Sequence, residues 1–140
     1  MNSLEQARAR VEQAAGLTPL LEASYAAFLL LLPVIEHQQE PGSPWFAAFV
    51  MAGGPAASGR FALLGAPSLP EASRFLGFPV PVHRGTRQTA AAVVALAGVL
   101  ARRLDDGAVA AARRGDRDAC KVAARCARDV QARLGGTPLP

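Results

Sequence analysis

Two cysteines, two histidines, one tryptophan and a single lysine, Lys121, are all that 140 residues contain of these types. Two cysteines cannot build a disulfide scaffold. The histidines, His37 and His83, come without any Glu-x-x-His, the pairing from which bundle metal sites draw ligands on several helices. Charged residues are also scarce, 19% against 51% hydrophobic. That excludes a disordered chain, which needs low hydrophobicity and high charge. No glycine triplet and no fixed repeat period occur, so collagen-like and solenoid architectures are excluded. Period-two alternation is equally absent over any useful length. The best strand candidate, residues 45–52, has no partner.

What is present is alanine, thirty of them, and arginine, fourteen. Arginine over lysine with plentiful Gly, Pro and Ala points to the codon bias of a GC-rich bacterial genome. The net charge is +4, unevenly placed. Residues 1–83 hold four arginines against six glutamates, and residues 84–140 hold eleven Arg or Lys against five aspartates. The first residues read as a charged amphipathic helix and not as a basic leader before an apolar core, so a cytoplasmic protein is expected. The longest apolar helical stretches, 23–35 and 89–101, fall short of the roughly 20 residues of a bilayer span. The uncharged run 41–59 is long enough, but Pro44, Gly53, Gly54 and Pro55 should break it. No membrane span is expected.

Helix punctuation is legible along the chain. Ser3 with Gln6 forms a capping-box pattern, and Gly16 provides the stop. Thr18-Pro19 opens a second helix running to about Gln39, kinked at Pro33 and stopped by Pro41. Ser43-Pro44 opens a short helix ending at Gly53, with a further turn or helix over 56–64 closed by Gly65. Ser68 with Glu71 starts a short helix that Gly77 closes, and residues 78–82 should be an extended connector. Thr86 caps a helix to about Leu104, followed by a break at 105–107, a short piece over 108–114 and a last helix from Gly115-Asp116 to Gly135.

The expected fold is therefore all-α: one helical domain over 1–140, a bundle of about five to seven helices. Residues 41–85 would form Gly/Pro-rich short helices and loops, and 137–140 a tail. Stretches 23–35 and 89–101, apolar nearly all round, should sit at the centre with helices 4–15 and 117–134 outside. Ala91, Ala95 and Gly98 share one face, which permits close approach. On the last helix, Ala119, Val122, Ala123, Cys126, Val130 and Leu134 should face inward; Arg117, Lys121, Arg125 and Arg128 should face outward.

No constellation of catalytic residues emerges, and no cofactor or metal is implied. The segment from Gly54 to Gly59 has the glycine spacing of a phosphate-binding loop. Arg60 and Phe61, however, stand where lysine and a hydroxyl are needed, so it reads as an interhelical loop. Glu36, His37 and Glu40 read as a solvated helix end. Cys120 and Cys126, six apart, lie about 9 Å apart along a helix and on different faces, which makes them small buried hydrophobes and not a disulfide. The C-terminal arginines could line a phosphate-binding surface. Yet all eight aromatics lie in residues 25–78, leaving that surface no stacking platform and arguing against nucleic acid. Pairs such as Arg125–Asp129 and Asp129–Arg133 fit solvated arginines better.

The apolar surplus in so short a chain favours a non-enzymatic interaction module, self-associating and binding a protein partner. A second reading is a binder or enzyme for an apolar small molecule held between the central helices. A third is phosphate or nucleic-acid contact through the C-terminal arginines. The aromatic, Gly/Pro-interrupted segment 45–78 is where a recognition surface or lid belongs, and Trp45, Phe49, Arg60 and Phe75 are its candidate contact residues.

Overall fold

The computed structural model describes residues 2–79 and 85–135. Among these there are six helices and no strand: α1 (Ser3–Gln13), α2 (Leu17–His37), α3 (Phe46–Leu64), α4 (Glu71–Arg74), α5 (Thr86–Ala110) and α6 (Arg114–Gly135). The expected all-α bundle is the fold observed. Of the expected connector only Phe78 and Pro79 are described. Residues 80–84, with His83, and the tail 137–140 lie outside the described residues.

Several boundaries differ from the sequence reading, each for a physical reason. The capping box of α1 is Asn2 with Glu5, not Ser3 with Gln6. The Asn2 side chain accepts from the Glu5 N–H at 2.8 Å, and the Glu5 carboxylate accepts from the Asn2 N–H at 3.3 Å. A glutamate in the first turn also favours the positive end of the helix dipole, which glutamine does not. The second helix starts after Gly16, not at Thr18. The chain reverses there with φ +93°, open to glycine and costly for threonine. Pro19 then falls in the first turn, where a missing N–H costs nothing.

The largest difference is α3. Instead of a short helix, a break and a further turn or helix, one helix of 19 residues runs straight through Gly53-Gly54-Pro55. A proline disfavours the helical region for its predecessor largely through that residue's Cβ, and Gly54 has none. The Met51 carbonyl that loses its partner to Pro55 belongs to an exposed residue, where water can serve it. Ser43 does not cap this helix. Its hydroxyl accepts from the Trp45 N–H at 3.1 Å in the turn just before it. Likewise α5 continues through Asp105-Asp106-Gly107 to Ala110. Gly107 is needed for contact rather than for a break: a Cβ there would lie 3.0 Å from Leu20 and 3.4 Å from the Cys120 sulfur.

Ser68 and Glu71 form no capping box. Ser68 is tied instead to Asp116, a buried carboxylate in the first turn of α6 that accepts from the Ser68 N–H at 2.9 Å and hydroxyl at 2.6 Å. Arg74 on α4 turns its guanidinium onto the carbonyls of Leu64 and Ala66 at the end of α3. Arg103 on α5 does the same for Val11 and Ala14 at the end of α1. Both arginines satisfy carbonyls that a helix end leaves without partners.

One contiguous core joins the helices, with Tyr25, Phe28 and Phe49 as its largest fully buried side chains. The most extensive pairings are α6 with α5 and α6 with α3; α2 packs on α3, and α1 lies against α5 and α2. The C-terminal helix is thus a shared wall and not an outer one. Ala119, Ala123, Ala124 and Ala127 let α6 approach two neighbours at once. The arc it buries is centred away from Val122, which is 42% exposed rather than inward. Gly98 does face α6, where its missing Cβ leaves room for the Gln131 amide, whereas Ala91 is exposed.

Candidate functional site

The four candidate residues do not form one site. Trp45 sits at the start of α3, half-buried, its ring centroid 6.4 Å from that of Phe49 at a 48° tilt. Phe49 is 0% exposed and belongs to the core. Arg60 lies fifteen residues further along the same helix, about 22 Å away at the rise of an α-helix. Phe75, 79% exposed, follows α4. α4 is tied by Arg74 to the far end of α3. Trp45 and Phe49 therefore mark one end of α3, and Arg60 and Phe75 the other.

Around Arg60 the structure is unusual. Its guanidinium carbon stands 5.3 Å from the Phe78 ring centroid and 5.9 Å from that of Tyr25, a cation within reach of two aromatic rings. Among the described residues it has no hydrogen bond and no carboxylate partner. Its Nε is sealed from water without a partner, and so is the Tyr25 hydroxyl. Such groups are rare in native interiors, because each has lost water and gained nothing polar in return.

The outer face of α3 went unrecognised in the sequence. With the helix continuous, Ala47, Val50, Met51, Gly54, Ala57, Ser58 and Phe61 fall within one arc of about 120°. All seven are exposed. Met51 is 50% and Phe61 74% exposed, and no residue of the arc is charged. The inner arc carries Phe49, Ala52, Ala56, Gly59 and Leu63, all buried. A helical wheel over 46–64 has two apolar faces, a signal that a helix ending at Gly53 does not carry. By length and composition alone both α2 and α3 could cross a membrane. In α2 61% of that apolar window is buried in the protein, in α3 only 28%.

The remaining motifs resolve simply. Gly54 and Gly59 lie inside a helix, so the expected glycine-rich loop is not formed and no phosphate cradle exists there. Among the described residues no group of three His, Cys, Asp or Glu could hold a metal ion. Several C-terminal arginines have acidic partners: Arg102 with Glu12 at 2.8 Å, Arg114 with Asp118 at 3.7 Å, and Arg128 with Asp105. Open grooves flank α1. One of about 300 Å³ lies where α1, α2 and α5 meet, lined by Leu4, Leu30, Val34 and Thr89 among others. Trp45, Phe49, Arg60 and Phe75 line none of the main grooves.

Both cysteines are free and buried. Burial, and secondarily the Asp116 charge, pushes the Cys120 thiol from 9.0 up to about 11. Burial, then Asp129, raises Cys126, with Arg125 opposing. A raised thiol is an inert one. The folded chain keeps the Cys120 proton to about pH 11 while the unfolded chain releases it near 9.0. Its contribution to stability is therefore complete below pH 9 and is lost between about 9 and 11. Denaturant melts across that range should show a decline that is smaller in Cys120→Ala. Identical pH profiles for the two proteins would refute this assignment.

No family model, no curated protein and no solved structure matches the chain.

Proposed function

We propose that the protein is a non-enzymatic interaction module whose docking surface is the outer face of α3, and that a second copy of the chain is one of its occupants. The observation carrying this reading is the uncharged, exposed arc from Ala47 to Phe61. A helix apolar on both faces is normally covered on both. The arc is also self-complementary in size. In an antiparallel pairing about Gly54, Phe61 of one copy meets Ala47 of the other, and Val50 and Met51 meet Ser58 and Ala57. Gly54, with nothing within 4 Å of where its Cβ would be, lets the two backbones approach at the centre. Such a two-fold contact closes on itself.

Light scattering over a concentration series should show a dimer. Met51→Glu should weaken it by about a hundredfold, because two carboxylates would be desolvated close to the symmetry axis. Met51 is half exposed in the single chain. The melting temperature of the dilute variant should therefore stay close to that of the parent. A parent chain that is monomeric at every concentration, with no change on Met51→Glu, would sink the self-association.

A further inference from the structure

We infer that Arg60 is a receptor for a single carboxylate carried on an apolar partner segment. The inference rests on the reading of α3 as a docking surface only in that the partner lies beside it. Arg60 is the one charged residue of α3, and among the described residues no acid pairs with it. Two rings lie against the guanidinium, fully buried Tyr25 with its centroid at 5.9 Å and exposed Phe78 with its centroid at 5.3 Å. Of its three nitrogens only Nε is sealed from water. The two Nη groups are not sealed in this way, and together they can take a carboxylate through two parallel hydrogen bonds. A charge already stripped of part of its water has little more to lose when an anion arrives.

The surroundings decide what carries that anion. Phe78, 56% exposed, lies against the guanidinium, and Phe61, 74% exposed, is the next residue of α3, so a ligand here is apolar next to its charge. An anionic membrane or a nucleic acid needs several cations together. Among the described residues, Arg74 is engaged by the carbonyls of Leu64 and Ala66, and residues 1–83 carry more acid than base. One guanidinium beside aromatic rings suits one aspartate, glutamate or terminal carboxylate among apolar side chains.

The test uses N-acetylphenylalanine as the carboxylate probe and N-acetylphenylalaninamide as its uncharged twin, followed by NMR on the full chain. The carboxylate should shift the Arg60 Nε–H and Phe78 ring signals saturably, and the amide should bind at least about tenfold more weakly. Arg60→Gln should abolish the response, and Arg60→Lys should weaken it, since an ammonium cannot make the planar pair. Should Arg60→Gln fold poorly, Phe78→Ala, which alters an exposed ring, should still cost severalfold in affinity. Equal binding of carboxylate and amide, or of inorganic phosphate and carboxylate, overturns the proposal. Arg60-dependent uptake on phosphatidylglycerol vesicles overturns it in favour of a lipid surface. A chain that self-associates but ignores the probe refutes the Arg60 site alone. A monomer that binds the probe supports the site and refutes only self-association.

Discussion

Phe49→Ala is expected to lower stability by about 3–5 kcal/mol, the range for removing a fully buried aromatic ring. Phe49 has no exposed surface and is among the largest side chains of the core. Its loss would leave a cavity that α3 cannot collapse into, because the Gln39 amide holds the Phe49 carbonyl and Trp45 covers the ring. Against a total stability of roughly 5–15 kcal/mol for such a domain, that is a large fraction. Urea melts would measure it, with light scattering on the folded fraction alongside. A nearly unchanged melt combined with lost self-association would mean that Phe49 is a contact residue after all.

Gly59→Ala should be destabilising by about 1–3 kcal/mol, against the usual direction for glycine in a helix. Helix propensity alone predicts a gain of roughly 1 kcal/mol. The new Cβ, however, would lie 2.2 Å from Cε1 and 2.5 Å from Cζ of Phe28. Phe28 is fully buried, so its ring has no free space to retreat into. Gly53→Ala on the same helix is the control. Its Cβ would meet only the Gln39 amide nitrogen at 3.7 Å, an ordinary contact, so the propensity gain should appear there. The paired thermal melts should move in opposite directions. Movement in the same direction would show that Phe28 does not seat on Gly59.

These two glycines also show why the fold was easier to read than the surface. Helices α1 and α6 announce themselves by amphipathic patterning and α2 and α5 by long apolar stretches, and the all-α bundle follows from them. Glycine, though, is ambiguous in a sequence. At Gly16 it supplies a positive φ, at Gly59 and Gly107 it makes room for Phe28 and Leu20, and at Gly54 it tolerates the proline that follows. Only the neighbours distinguish these uses, and in this chain they are distant in sequence. Taking Gly53-Gly54-Pro55 as a break hid the outer face of α3. The candidate residues were then gathered from what looked like a set of loops. Nothing local to Trp45 or Arg60 reveals that one helix separates them, or that Phe49 points inward. The contacts of Arg60 with Phe78 and Tyr25 join three separate segments and leave no local trace.

A composition with fourteen arginines and one lysine invites an account in which the codon decides and the protein tolerates the result. Arg74 and Arg103 do not fit that account. Each reaches two carbonyls of another helix's end with one planar head, which a lysine, with its compact ammonium, is poorly shaped to do. At these two positions a drift toward AT-rich codons would be checked by folding. The surface arginines would be free to follow the drift, and a lineage whose base composition had changed would be recognisable by which arginines it had kept.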